Sequence, residues 1–134
     1  MTAAAPKRGA LVLLVEDDRV GRELFALGLE QAGFRVDQAH NGLQALEKAF
    51  ELLPQVILTD LALPGIDGLQ LCRRLRDDPR TRDIPIIGIT GYASFAADPD
   101  RATRAGCDAV FLKPCLPETV IAEITRLLAT ARRA

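Results

Sequence analysis

Residues 10–18 read ALVLLVEDD, an almost unbroken apolar run that ends in three carboxylates. A strand covered on both faces is apolar at successive positions, whereas a half-exposed strand alternates apolar and polar residues. The run therefore predicts a buried strand of a parallel sheet, with Glu16 and Asp17 just beyond its carboxyl end. Asp18, a residue type favoured before a first helical turn, is predicted to cap the helix that follows.

Three more runs of this kind, at residues 56–59, 86–90 and 109–112, predict buried strands, and the alternating residues 34–39 predict an edge strand. Between the strands, apolar residues recur every three or four positions, which predicts helices that turn these residues inward. Over residues 93–105 we expect a regular helix only at 99–105, because Asp98-Pro99-Asp100 interrupts the pattern. The predicted apolar stripes are Val20, Leu24 and Leu27; Leu43, Leu46, Phe50 and Leu53; Leu69, Cys72 and Leu75; and, within residues 117–133, Val120, Ile121, Ile124, Leu127, Leu128 and Ala131.

Five strands that alternate with five helices predict an α/β fold, a (βα)5 chain with one doubly wound, five-stranded parallel sheet between two helical layers. An edge position for the second strand fits the flavodoxin-like strand order 2-1-3-4-5. The whole chain, residues 1–134, is expected to be one domain, with residues 1–9 as a flexible N-terminal extension.

The composition excludes several classes of function. Lys plus Arg number 17 against 18 for Asp plus Glu, so there is no basic field to attract nucleic acid directly. No apolar stretch approaches the ~20 residues that span a bilayer, and none resembles a secretion signal, so we expect a cytoplasmic protein without a membrane partner. The three cysteines include no Cys-x-x-Cys pair and are expected to be small, mostly buried thiols.

Polar residues follow four of the predicted strands: Glu16 and Asp17 the first, Asp60 the third, Thr90 the fourth and Lys113 the fifth. Carboxyl ends of parallel strands meet at one sheet edge, where such folds bind ligands. Carboxylates 4 Å apart repel by about 4 kcal/mol at an effective dielectric constant of about 20. A hard divalent cation such as Mg2+ offsets that repulsion. Asp60 is then a candidate nucleophile for a phosphoryl group, with Thr90 and Lys113 stabilising its oxygens.

The motifs at these positions resemble those of one known family, the receiver domain of bacterial two-component response regulators. Residues 12–18 (VLLVEDD) are similar to the first strand and acidic pair of the family, and residues 60–68 (DLALPGIDG) to its phosphorylation loop. Thr90-Gly91-Tyr92-Ala93 and Lys113-Pro114 complete the pattern. The resemblance extends over nearly the whole chain, from about Leu11 to Leu128.

The resemblance implies a role for each site residue. Asp60 would be the phosphoacceptor. Mg2+, or Mn2+, would be held by Asp17, Asp60 and the backbone carbonyl of Ala62, with Glu16 acting through metal-bound water. Thr90 and Lys113 would contact the phosphoryl group, and the Lys113-Pro114 bond would be cis.

The family also implies partners. The phosphoryl group would come from a sensor histidine kinase or a histidine phosphotransfer protein, and a conformational shift would signal to a downstream protein target. Such a domain catalyses only its own phosphorylation and dephosphorylation and is not otherwise an enzyme. A homodimer is left open.

The chain departs from the family pattern at a position that would transmit the signal to a partner. Val110 stands where the family commonly has a switching Tyr or Phe, and Phe111 is expected on the opposite face of the strand. Tyr92 and Val110 are the candidate switch positions. Val110 motivates an alternative function, a receiver-like module that signals by docking without phosphorylation. A flavin binder is disfavoured because Glu16 and Asp17 would repel its phosphate, and no Walker or Gly-x-Gly-x-x-Gly loop is present.

Overall fold

The computed structural model describes residues 9–133, apart from the side chains of Tyr92 and of residues 131–133. The predicted extension therefore lies outside the described residues except for Gly9, as does the side chain of Ala131. The elements in chain order are β1 (Leu11–Val15), α1 (Arg19–Gln31), β2 (Arg35–Ala39), α2 (Gly42–Leu52), β3 (Val56–Asp60), α3 (Gly68–Asp77), β4 (Ile86–Thr90), α4 (Tyr92–Ala97), α5 (Arg101–Ala105), β5 (Ala109–Leu112) and α6 (Pro117–Arg133).

The five strands form one parallel sheet in the order β2-β1-β3-β4-β5. β3 and β4 are buried along their whole length, whereas β2 lies at an edge and is largely half-exposed. The predicted fold class and strand order are confirmed. Since every strand runs in the same direction, all the carboxyl ends lie at one edge of the sheet.

Two cores cover the two faces of the sheet, because successive side chains of a strand point to opposite sides. Leu13 and Ile57 pack with α2, α3 and α5 in one core. Leu14 and Leu58 pack with α1 and α6 in the other. Within residues 9–133, none of the helices has the length and apolar character needed to cross a membrane.

The stripe predicted to be the buried face of α1 is wrong. Val20, Leu24 and Leu27 are 68%, 55% and 55% exposed, and the helix instead buries Ala26 and Leu29. Its close contact with α6 is made at Gly28, where an added Cβ would lie 3.0 Å from the Cβ of Pro117. The small residue at this point lets the two helices approach, while Val20, Leu24 and Leu27 lie on the exposed side of α1.

In α2, too, small residues occupy some of the buried positions that were predicted for large apolar residues. Leu46 is buried and Phe50 packs against the core, as predicted, but Leu43 and Leu53 are 57% and 50% exposed. Ala45 and Ala49 take the buried positions that these leucines were expected to fill. The predicted buried stripe of α3 is confirmed, since Leu69, Cys72 and Leu75 all lie in the core.

Residues 92–105 form two short helices rather than the single one predicted at 99–105. α4 occupies Tyr92–Ala97, which we expected to be irregular, and its alanines favour helix. The break falls at Asp98, whose φ of -155° and ψ of 86° are not helical. Proline at 99 disfavours helical backbone in the residue before it, and this separates α4 from α5.

Candidate functional site

Four strand ends bring the predicted site residues to one edge of the sheet. Asp60 and Thr90 are the last residues of β3 and β4 and are 3% and 7% exposed. Glu16 follows β1 and is buried, and Lys113 follows β5. The parallel sheet therefore gathers two buried acids, a hydroxyl and an ammonium group from distant parts of the chain.

Both carboxylate oxygens of Asp60 have a partner. Its Oδ1 accepts a hydrogen bond from the backbone N–H of Ala62 at 2.9 Å, and its Oδ2 accepts one from the Nζ of Lys113 at 2.5 Å. The same ammonium lies 3.8 Å from Oε1 of Glu16. Lys113 thus partly neutralises two carboxylates at once.

Glu16 accepts hydrogen bonds from two neighbouring residues. Its Oε2 accepts the backbone N–H of Asp18 at 3.0 Å, and its backbone carbonyl accepts a hydrogen bond from Nη1 of Arg22 at 2.9 Å. Arg22 also donates from Nε to Oε1 of Gln38 at 3.1 Å. The support of the acidic pair by Arg22 was not predicted, because the position of Arg22 in the helical pattern is that of a surface residue.

The environment changes the ionisation of two site residues. Burial raises the pKa of Glu16, and the negative charge of Asp60 adds to this effect. Burial opposes the charge of Lys113, but the hydrogen bond to Asp60 and the charges of Asp60 and Glu16 outweigh it, so the pKa of Lys113 is raised. The site therefore favours the charged form of the Lys113 ammonium group and, relative to a free side chain, the protonated form of the Glu16 carboxyl group.

Glu16, Asp17 and Asp60 fit a divalent cation. One carboxylate oxygen from each lies within 4.8 Å of the other two, and Asp17 is exposed where Glu16 and Asp60 are buried. An oxygen-only donor set that is open to solvent on one side suits Mg2+, which keeps several of its waters. The role of the Ala62 carbonyl as a ligand remains a prediction.

The loop after Asp60 is shaped by two glycines. Gly65 has a φ of +74°, which a side chain would strain. At Gly68 an added Cβ would lie 2.5 Å from the carbonyl oxygen of Asp60, so only glycine allows α3 to begin so close to β3. Asp67 caps α3 by accepting the N–H of Gln70 at 2.8 Å. The predicted cis peptide bond between Lys113 and Pro114 is confirmed.

A cavity of about 220 Å3 separates the loop after Asp60 from α4 and α5. Ala62, Thr90, Phe95 and Val110 are among the residues that line it.

Val110 packs on the core formed with α2, α3 and α5, and Phe111 packs on the opposite core, as expected from strand alternation. The contribution of Phe95 was not predicted, because a regular helix was expected only at residues 99–105. The side chain of Tyr92, the other predicted switch position, lies outside the described residues.

Comparisons with known proteins agree with this geometry. The profile of the response regulator receiver domain matches residues 12–125. Over 103 residues the chain is 38% identical to the polar-differentiation response regulator DivK of Brucella anthropi, covering 77% of this chain and 83% of DivK. Over 117 residues it is 36% identical to the DNA-binding dual master transcriptional regulator RpaA of Synechocystis, covering 87% of this chain but only 48% of RpaA. The chain thus spans about half the length of RpaA.

Solved structures show the same similarity. A putative response regulator from Chloroflexus aurantiacus superposes with a TM-score of 0.84 at 33% identity, over 90% of this chain and 98% of that one. The receiver domain of the sensor histidine kinase PA1611 from Pseudomonas aeruginosa, with a magnesium ion coordinated in its active site cleft, gives 0.83 at 30% identity over the same shares. Receiver domains are signalling proteins of two-component systems rather than classical enzymes, and their family implies a histidine kinase as partner. With its 2-1-3-4-5 sheet and its acidic pocket of Glu16, Asp17 and Asp60, this chain belongs to the response regulator receiver domain family.

Proposed function

We propose that Asp60 accepts a phosphoryl group from a phosphohistidine of a sensor histidine kinase or a histidine phosphotransfer protein. The observation that carries this proposal is the ion pair of Lys113 with Asp60, which is set beside Glu16 and Asp17 at the same strand ends. A buried carboxylate beside a lysine ammonium group, which a flexible four-carbon stem carries, can gain negative charge without leaving that charge unpaired.

Each site residue has a separate role in the phosphoryl transfer. An oxygen of Asp60 attacks phosphorus, the P–O bond forms as the P–N bond of the phosphohistidine breaks, and the imidazole leaves as it takes up a proton. Lys113 then pairs with a phosphoryl oxygen, and the hydroxyl of Thr90 donates to another. Glu16, Asp17, Asp60 and the Ala62 carbonyl would hold Mg2+ or Mn2+, which supplies positive charge to the transferring oxygens.

The exposed face of α1 is where we place the phosphodonor. Val20, Leu24 and Leu27 recur at helical spacing on this face, and α1 begins three residues after Glu16. A groove of about 340 Å3 between α1 and the segment after β5 runs from Glu16 and Lys113 to Phe25 and Cys115. A helical partner that covers this apolar face would bring its histidine to the mouth of the site.

The output is proposed to pass through the cavity beside Thr90. Movement of Thr90 toward a phosphoryl group would change the packing between Val110 and Phe95, and so bias the position of α4. Tyr92 and Val110 are the proposed switch residues, and a downstream protein, or a second copy of the chain as a homodimer, would bind the changed surface. The proposal includes a cytoplasmic location.

The test is phosphorylation by a small donor. Wild-type protein incubated with acetyl phosphate and Mg2+ should gain one phosphoryl group, which intact mass spectrometry detects and which alkali removes. Asp60→Asn should gain none. Asp67→Asn is a matched control, because asparagine keeps the helix cap and leaves Asp60 unchanged. A wild-type protein that gains no Asp60-dependent phosphate would favour the docking module instead.

A further inference from the structure

Two cysteines that are distant in the sequence meet in the core. The sulfur atoms of Cys72 and Cys107 lie 3.5 Å apart, although 35 positions separate them in the chain. The sequence predicted only small buried thiols, and it could not show this contact. We propose that Cys72 and Cys107 are a modification site, and that a peroxide converts the pair to a reversible intramolecular disulfide.

The two thiols are presented by different elements. Cys72 is in the middle of α3 and fully buried. Cys107 lies between α5 and β5 and is 5% exposed. The sulfur of Cys107 packs against the backbone of β4 at Gly88, where an added Cβ would lie only 3.1 Å from it.

The remaining distance is small. A disulfide joins sulfur atoms at about 2.05 Å, so the two atoms must approach by about 1.5 Å from their separation of 3.5 Å. Cys107 belongs to a short connection rather than to a helix or strand, and its backbone can shift more easily than that of Cys72. Most of the approach is therefore expected from Cys107.

Cys107 is also the thiol that an oxidant reaches first. It lines a surface cavity of about 500 Å3 together with Arg76, Gly106 and Asp108. The guanidinium of Arg76 donates to the carbonyl oxygen of Gly106 at 2.8 Å, which places a positive charge beside this thiol. The hydrogen bond with Cys72 lowers the pKa of Cys107 and raises that of Cys72. The thiolate, which is the reactive form, is thus favoured at the accessible member of the pair.

The chemistry takes two balanced steps. The sulfur of Cys107 attacks hydrogen peroxide, the O–O bond breaks, and water leaves as Cys107 becomes a sulfenic acid. The sulfur of Cys72 then attacks the sulfur of Cys107, the S–S bond forms, and the S–O bond breaks. The departing hydroxide takes the thiol proton of Cys72 and leaves as a second water. The two thiols lose two electrons in total, and the peroxide gains them.

The bond would join the helix that follows the loop after Asp60 to the start of the strand that carries Val110. Both elements belong to the core on one face of the sheet. Oxidation would thereby restrict movement of α3 against β5, independently of any change at Asp60.

Mass spectrometry of the full chain tests the proposal. Trypsin places Cys72 in the peptide of residues 49–73, whereas Cys107 and Cys115 share the peptide of residues 105–126. The Cys115→Ser variant removes this ambiguity, and Cys115 is half-buried and distant from the pair in the fold. Reduced Cys115→Ser is exposed to hydrogen peroxide in buffer, blocked with iodoacetamide and digested without reductant.

The expected result is a monomer that loses the mass of two hydrogens, regains it with dithiothreitol, and yields peptide 49–73 joined to peptide 105–126. Wild type should lose the same mass, and Cys72→Ser and Cys107→Ser should not. The proposal is overturned if the Cys115→Ser variant forms the bond only after unfolding in urea, or if oxidised wild type forms only dimers or bonds to Cys115.

Discussion

The ammonium group of Lys113 lies 2.5 Å from Oδ2 of Asp60, so the carboxylate proposed to receive phosphorus is held in an ion pair. Replacing Lys113 by Met should slow phosphorylation by acetyl phosphate about 100-fold or more, since loss of one preorganised donor has an effect of this order. Affinity for Mn2+ should instead rise several-fold, because the variant no longer places a competing positive charge beside Asp60. Phosphoprotein formation followed over time, and Mn2+ titration followed by electron paramagnetic resonance, check the two effects.

Lys48→Met is the matched control for this variant. Lys48 also makes an ion pair, with Oδ1 of Asp37 at 2.7 Å, but on the edge strand β2. Both the phosphorylation rate and the Mn2+ affinity should stay near wild type. Equal losses in the two lysine variants would show that Lys113 has no special role.

The raised pKa of Glu16 predicts how metal binding depends on pH. Glu16 keeps its proton to a higher pH than its ordinary value of 4.5, because it is buried and close to Asp60. The proton and the cation compete for this carboxylate, so Mn2+ affinity should fall as the pH is lowered toward the raised pKa. In Glu16→Gln the affinity should be weaker overall and should vary less with pH above 4.5. An unchanged pH dependence in Glu16→Gln would contradict this assignment.

The raised pKa of Glu16 also affects the free energy of unfolding of the metal-free protein. The folded state binds the Glu16 proton more tightly than the unfolded state does. The Glu16 contribution to the free energy of unfolding therefore decreases as the pH rises from 4.5 through the raised pKa. The difference in unfolding free energy between wild type and Glu16→Gln, measured with urea across this range, should show that slope.

Gly68 tests how closely α3 must approach the phosphoacceptor strand. In Gly68→Ala the new Cβ would lie 2.5 Å from both the carbonyl oxygen of Asp60 and the Cα of Leu61, which is backbone that cannot rotate away. The variant should lose about 1–3 kcal/mol of unfolding free energy, as overpacked sites do. Gly91→Ala is the control: its added Cβ meets nothing within 4 Å and its φ is -75°. Urea unfolding of both variants should give a clear loss only at position 68.

The exposed face of α1 gives a prediction that separates protein donors from small ones. Leu24→Gln removes the centre of that face and should slow transfer from a phosphorylated histidine phosphotransfer protein about tenfold, equivalent to about 1.4 kcal/mol. Phosphorylation by acetyl phosphate should not change, because the site itself is intact. Leu53→Gln offers a similarly exposed leucine at the end of α2, near the opposite edge of the sheet, and should affect neither reaction. Slower reaction with both donors in Leu24→Gln would point to a disturbed site instead.

The sequence predicted the strands better than the faces of the helices. Buried strands such as β3 are apolar at every position except their last residues, so their positions and their polar ends are visible in the residue pattern. On α1 the close approach to α6 is made at Gly28, and Ala26 is buried beside Leu29, whereas Leu24, which was predicted to be buried, is exposed. Hydrophobic periodicity cannot show that a helix packs closely through its smallest residues.

At the site, the sequence predicted which groups meet but not how they are supported. Asp60 and Lys113 follow strands, and a parallel sheet must bring such ends together. The bracing of Glu16 by Arg22 and the contact of Cys72 with Cys107 both depend on side-chain packing between elements. Neither follows from the order of elements, and so neither was predicted.

The interruption at Asp98 leaves α4 with six residues and α5 with five. Helices this short are not stable by themselves, so each depends on what it packs against. Ala102 and Ala105 attach α5 to the core, whereas the described side chains of α4 are all exposed or half-buried. Substitutions on α4 should therefore have little effect on folding, which leaves this segment free to diverge and allows one scaffold to acquire new binding specificities.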